Sequence, residues 1–313
     1  MKKERLIVIL GPTAVGKTAL SIELAKKLQT EIISGDSMLV YKGFDIGSAK
    51  PTMKERQGVV HHMIDIMEPQ EKYSVTQFRK SAVKYITEIN TKGKIPILAG
   101  GTGLYIKALV EGYYFNKTPG DAVYRKKLEQ LAEEKGKIYV YNMLVSVDEK
   151  TAARLHVNDF RRVIRALEVY HMGGEQISRE KSATDGELKY DVYVVGLTRE
   201  RAALYKRIDF RVELMFASGL EAEVARLQQN GITCDCQAMQ GIGYKETAAY
   251  LAGEISREQV VALIQRATRH FAKRQLTWYK KMPYIHWYDV GDYTADNLID
   301  VVYADIAGTF EIK

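Results

Sequence analysis

Residues Gly11-Pro12-Thr13-Ala14-Val15-Gly16-Lys17-Thr18 match the pattern G-x-x-x-x-G-K-[ST] at every fixed position. The run before them, Leu6–Leu10, is continuously apolar and rich in Ile and Val, as suits a strand covered on both faces. The run after them, Thr18–Leu28, carries Leu20, Leu24, Ala25 and Leu28 at helical spacing. Between a buried strand and a helix, such a loop curls so that successive N–H groups point inward, and the helix N-terminus adds a favourable dipole. Lys17 is then expected to reach phosphate oxygens, and Thr18 to offer its hydroxyl to Mg²⁺. All eight residues are expected to hold a pyrophosphate or the phosphates of a nucleotide such as ATP.

Further short apolar runs follow at Glu31–Ser34, Ile95–Ala99, Val192–Leu197 and Ile285–Val290, separated by helical patterns. The alternation predicts an α/β fold: a P-loop parallel sheet with helices on both faces. From about residue 116 to 186 the rhythm breaks. Val123–Lys135, Glu149–His156 and Arg161–His171 read as helices, Ile138–Val147 fits strand or helix, and turn residues mark the ends (Thr118-Pro119-Gly120; Asp185-Gly186). The expected organisation is therefore a discontinuous core, 1–115 with 187–313, carrying a helical insertion at 116–186. Long helical patterns close the chain at Arg199–Asn230 and Arg257–Lys281, the latter with Val260, Ile264, Ala267 and Phe271 as its core stripe.

The 313 residues are 46% hydrophobic and 27% charged, an ordinary globular balance. No apolar stretch is long enough for a bilayer, and the start of the chain has no signal-peptide character, so no membrane and a cytoplasmic location are expected. Cys234 and Cys236 lie one residue apart with no His/Cys cluster nearby, which favours two ordinary thiols. The net charge of +7 suits a polyanionic partner, although many cytosolic proteins are mildly basic without one.

The loop alone does not name a reaction. A nucleotide kinase, a GTPase and a user of prenyl pyrophosphate all employ one. Asn116-Lys117-Thr118-Pro119 lacks the Asp of a guanine-reading N-K-x-D, which sets the GTPase aside. In an open parallel sheet the carboxyl ends of neighbouring strands share one crevice. Asp36 in Ser34-Gly35-Asp36-Ser37 sits there either as a general base or as a turn residue capping the next helix. Thr102, in the glycine-rich turn Gly100–Gly103, offers a hydroxyl on the same edge. Arg211, within the helical pattern Leu204–Ser218, is a pyrophosphate clamp or a solvated helix arginine. His61-His62 has no evident partner ligands, which favours a structural or positioning role over a metal.

Several stretches together resemble one family, the bacterial tRNA dimethylallyltransferases, also called isopentenylpyrophosphate tRNA transferases. They are Gly11–Thr18; Asp36-Ser37-Met38 with Val40-Tyr41-Lys42-Gly43; Asp45-Ile46-Gly47-Ser48-Ala49-Lys50-Pro51; and His61-His62-Met63-Ile64-Asp65. Ala99–Tyr105, Asn158–Val169, Gly241–Glu246 and Arg266–Trp278 continue the match in family order over nearly the whole chain. Leu39 stands where many members carry Gln.

The resemblance implies dimethylallyl pyrophosphate as donor, the N6 amine of adenine-37 beside the anticodon of certain tRNAs as acceptor, and Mg²⁺ as cofactor. It assigns Asp36 as base, Thr102 to positioning, and Lys17, with Thr18-bound Mg²⁺, to the leaving group. It implies RNA contact by Asp36, Ser37, Met38, Leu39, Thr102, Gly243, Tyr244 and Lys245. From the residues themselves, Arg161, Arg162 and Arg165 share a helix face behind the cap Asn158/Asp159, and Arg125 is a similar candidate for holding the anticodon stem–loop. Arg266, Arg269, Lys273 and Lys280 form a basic flank on the last long pattern. Each such face is more often merely solvated. No obligate protein partner is expected. The rivals are an ATP-dependent phosphotransferase, a prenyltransferase of free adenine nucleotides, and a non-enzymatic RNA-binding regulator.

Overall fold

The structure is a computed structural model that describes residues 3–112, 118, 120–173 and 187–312. Of the turns noted above, Pro119 of Thr118-Pro119-Gly120 and the whole of Asp185-Gly186 lie outside those residues, as do Asn116 and Lys117. The chain divides into two compact units, Met1–Val110 with Leu188–Lys313, and Glu111–Glu187.

In the first unit, β1 (Arg5–Leu10), β2 (Ile32–Ser34), β3 (His61–His62), β4 (Ile97–Gly100), β5 (Asp191–Thr198) and β6 (Ile285–Asp289) form one parallel sheet in the order β3-β2-β4-β1-β5-β6. Around it stand α1 (Lys17–Lys27), α2 (Met53–Arg56), α3 (Val75–Thr91) and α4 (Gly103–Val110). The second unit holds α5 (Ala122–Lys135), α6 (Lys137–Val147), α7 (Glu149–Ala152) and α8 (Phe160–His171). The first unit resumes after β5 with α9 (Arg201–Ala217), α10 (Leu220–Gln229), α11 (Tyr244–Leu251), α12 (Arg257–Tyr279) and, after β6, α13 (Ala295–Phe310).

The apolar run of β1 is continuous because it feeds two cores. Leu6, Val8 and Leu10 join a cluster with α3, α4, α10 and α11, while Ile7 and Ile9 face a second one with α1 and α13. Both clusters also draw on α9 and α12.

Five expected strands form, within one or two residues of their expected limits. The sixth, β3, is only two residues long and too short to leave a period-2 signal. Ile138–Val147 resolves as helix: Val140 and Leu144, four apart, are buried while Ile138 is exposed, a 3.6-residue rather than a two-residue alternation. Three expectations need correction. The pattern Arg199–Asn230 is two helices, because Gly219 takes φ 97° between Ser218 and Leu220. Helix α7 stops at Ala152 rather than His156. The core line of α12 runs Val260, Ile264, Ala272, Gln275, Tyr279, leaving Ala267 and Phe271 half-exposed.

Candidate active site

The carboxyl ends of β1, β2 and β4 converge, as their pairing requires. Gly35 N–H donates to Ala99 O at 2.8 Å and Thr102 N–H to Gly35 O at 3.3 Å, so the two turns touch. Only glycine fits at residue 100, where a Cβ would lie 2.3 Å from the Gly35 carbonyl.

The phosphate loop leaves β1 and enters α1 through Gly16, whose φ of 117° a side chain would strain. Ala14 accepts a φ of 64° within the loop. Lys17 folds back on its own loop, Nζ donating to Gly11 O at 2.9 Å and Pro12 O at 2.8 Å. Crowding by protein lowers its pKa to about 8, Asp36 opposing that shift and Arg211 adding to it. Arg211, half-buried on α9, is itself lowered by burial, with Asp36 and Glu55 acting the other way. Lys17, Asp36 and Arg211 therefore feel one another's charge, and Arg211 faces the site rather than open solvent.

Asp36 sits in a turn, as one of its two readings had it, although no helix directly follows for it to cap. Its Oδ1 accepts the Met38 N–H at 2.8 Å, an Asx turn. Oδ2 has no hydrogen-bond partner among the described residues. Thr102 Oγ1 accepts the Ser37 N–H at 3.1 Å and lies 3.4 Å from Ser37 Oγ, fixing the segment that carries Asp36. The negative charge of Asp36 also bears on Tyr105 and Tyr279, whose phenols burial already pushes up.

A cleft of about 790 Å³ opens beside the loop, lined by Gly16, Lys17, Thr18, Arg207, Arg211, Asp45, Ile46 and the run Ala49–Thr52. Sequence reasoning missed what shapes this wall. Glu223 of α10, 2% exposed, accepts the N–H groups of Asp45 (3.1 Å), Ile46 (2.8 Å) and Gly47 (3.2 Å). Buried Lys50 donates to Tyr41 O at 2.8 Å and Asp45 Oδ1 at 2.6 Å, and also bonds Asp65. Arg207, one turn before Arg211, donates from Nε to Ala14 O at 3.0 Å. Gln275 was also missed: its Oε1 accepts the Thr13 N–H at 2.9 Å.

Tyr244 overturns an expectation. It is fully buried, its hydroxyl donating to Glu223 Oε1 at 2.9 Å and accepting the Ser48 N–H at 3.0 Å, so no atom remains for RNA. Gly243 beside it is buried as well, whereas Lys245 is exposed. Ser37, Met38 and Leu39 are half-buried.

In the second unit, Glu168 of α8 is completely buried. It accepts from Arg125 (2.9 Å), Arg165 (2.8 Å) and the Asp121 N–H (2.7 Å). Burial pushes its pKa up, but the Arg165 bond, the Asp121 N–H and the two positive charges more than reverse that, so it stays below the ordinary carboxylate value. Arg165 also donates to Thr118 O at 2.7 Å. Arg125 and Arg165 thus clamp a carboxylate, while Arg161 and Arg162 are exposed. Asp159, one of the two expected cap residues, is the N-cap of α8, but its side chain makes no capping bond. Asp159 pairs with Arg162 at 3.2 Å instead.

Along α12, Arg269 is bonded to Asp209, while Lys273 and Lys280 line a basic hollow with Arg199 and Arg201. His62 bonds Glu31 at 2.6 Å and stacks on Tyr85, as a structural histidine does. Both cysteines are free thiols, and among the described residues no group of three or more His, Cys, Asp or Glu could hold a metal. No helix among them is long and apolar enough to cross a membrane.

The sequence pattern of the family described as IPP transferase matches residues 39–282. A tRNA dimethylallyltransferase of Bacillus cytotoxicus is 48% identical over 291 residues, covering 93% of this chain and 92% of the relative. One of Carboxydothermus hydrogenoformans is 50% identical over 300 residues, covering 96% of each. The full-length tRNA isopentenylpyrophosphate transferase of Bacillus halodurans superposes with a TM-score of 0.75 at 43% identity, covering 99% of this chain and 97% of that one. A eukaryotic dimethylallyltransferase crystallised acting on tRNA gives a TM-score of 0.82 at 32% identity, covering 97% of this chain and 80% of that one.

Proposed function

This chain belongs to the IPP transferase family, and from that premise we propose that it moves a dimethylallyl group from dimethylallyl pyrophosphate to N6 of adenine-37 in tRNA. The exocyclic amine is a poor nucleophile because its lone pair is delocalised into the ring. As N6 bonds to the allylic C1, the C1–O bond breaks, pyrophosphate leaves, and one N6 proton must go to a base. Asp36 is that base, through the oxygen its turn leaves unbonded. Negative charge grows on the leaving oxygen, where the loop N–H groups, Lys17 and Arg211 gather. Thr102 holds the base's segment in place.

A Mg²⁺ ion fits the donor set: Thr18 is an exposed hydroxyl at the start of α1, and Mg²⁺ favours one protein ligand with pyrophosphate oxygens and water. When bound, it would neutralise part of the leaving-group charge. The acceptor base, stacked in an anticodon loop, has to be splayed out to reach Asp36. Lys245 in the first unit and Arg161 and Arg162 in the second are exposed cations, each suited to RNA phosphates, with Arg125 and Arg165 half committed to Glu168. The observation that carries this reading is the shared electrostatic environment of a proton acceptor, Asp36, and an anion site, Lys17 with Arg211.

Mass spectrometry of tRNA after reaction with dimethylallyl pyrophosphate tests it: a mass gain confined to the anticodon-loop adenosine is expected. Asp36→Ala should keep RNA affinity and lose about 10²–10⁴-fold in turnover. Equal use of adenosine monophosphate as acceptor, or phosphoryl transfer from ATP instead, would replace the reading with one of its rivals.

A further inference from the structure

Both halves of this centre are fastened to one side chain. Gln275 of α12 accepts the Thr13 N–H through Oε1 at 2.9 Å and donates through Nε2 to Gly101 O at 2.8 Å. Tyr279, one turn on, donates to the same carbonyl at 2.8 Å. The two backbone partners define which way the amide points, since an N–H needs the oxygen and a carbonyl needs the NH₂.

Gly101 stands between Gln275 and the base. A methyl group there would come within 2.5 Å of Gln275 Nε2 and 3.8 Å of Asp36 Oδ2. Thr102, next in the chain, holds the Ser37 N–H. A polar side chain 5% exposed in a helix core is costly unless paired. Here the pairing joins the loop that receives the leaving group to the turn that steadies the base.

Resting on the function proposed above, we propose that Gln275 is a positioning residue that sets the separation between the anion cradle and the Asp36 carboxylate. It need touch neither substrate. By occupying the Thr13 N–H it also withdraws one donor from the loop, where the Val15 N–H is already given to Pro12 O at 3.4 Å. In-line displacement tolerates little error in that separation, and a misplacement of about 1 Å costs roughly 10²-fold in rate.

The test uses the full chain, an anticodon stem–loop and dimethylallyl pyrophosphate under single-turnover conditions, with rates expressed per folded molecule. Gln275→Met keeps the length of the side chain and loses both bonds. It should react about 10²-fold more slowly with a raised donor KM, while its RNA Kd stays within about two-fold. Gln275→Glu still accepts from Thr13 but can donate to Gly101 only when protonated. Its rate relative to the unsubstituted protein should therefore be higher near pH 6 than near pH 8.5. A Gln275→Met rate equal to that of the unsubstituted protein overturns the proposal, as does an RNA affinity that falls in step with the donor's. So does a flat pH ratio for Gln275→Glu. If the unsubstituted chain prenylates no RNA, the parent reading falls with it. If it does and Gln275→Met is undiminished, only the role of Gln275 falls.

Discussion

The crevice of the parallel sheet and the helical second unit both gather cations around carboxylates, to opposite ends. In the crevice, Asp36 spends one oxygen on its own turn, and the other is unbonded among the described residues. Lys17 and Arg211 sit in its field with no ion-pair bond to it, so their charges remain available to a ligand. In the second unit, Glu168 is enclosed and its oxygens are taken by Arg125, Arg165 and a backbone N–H. The first arrangement keeps its charges open to a ligand, the second is a closed structural clamp. An arginine therefore cannot be assigned to RNA or to phosphate by its helix face alone, because what the fold has already bonded to it decides.

The contrast breaks most visibly at Lys17. Lys17→Met should lower kcat/KM for the donor by about 10²–10³-fold, the cost of deleting one donor to a developing anion. Because the folded-state pKa lies at about 8, the lysine is cationic below that value and neutral above it. Donor kcat/KM should thus hold on the acid side of 8 and fall as pH rises through it. A profile level to pH 9.5 would mean that the lysine is not the charge that matters.

If Glu168 is a clamp, breaking it should cost stability rather than chemistry. Glu168→Gln removes the charge that two partly exposed arginines share, and a loss of about 1–3 kcal/mol is expected after allowing for solvent at the arginines. Chemical denaturation should report it, while kcat on bound RNA stays within about two-fold. A selective fall in kcat would make the two regions alike. Tyr244→Phe, which takes a donor from Glu223 and an acceptor from Ser48, should cost about 1–2 kcal/mol and raise the donor KM through the cleft wall. RNA affinity should not change, and a change would restore Tyr244 as a contact. The smallest effect is expected at Arg162, exposed and paired among the described residues to Asp159. Arg162→Gln should weaken RNA binding slightly at all sequences and flatten the salt dependence by about one unit of slope.

How much of this was legible in the sequence obeys the same division. The route from β1 through the loop to α1 was readable because the motif, the apolar run and the helical period coincide there. Asp36 and Thr102 were placed on the right edge by the rule that strand ends meet. Arg211 had two readings, and only three dimensions could turn it toward the site. Gln275 and Glu223 were missed because a buried polar residue on an amphipathic helix looks like a solvated one until its backbone partners, far off in sequence, come into view. Tyr244 failed the other way. It lies in a motif read as an RNA contact, but its hydroxyl is spent on Glu223 and the Ser48 N–H.

The order of the strands sets a timetable for making the molecule. Arg5 at the start of β1 pairs with Asp191 of β5, so the middle of the sheet is incomplete until Thr198, the end of β5, has left the ribosome. Helices α5 to α8, whose contacts are close in sequence, can condense meanwhile, since local contacts form fastest. The phosphate loop emerges before β5, yet the glutamine that braces it arrives on α12, 262 residues after Thr13. Nascent chains ending before that helix should carry the whole motif and have no working site.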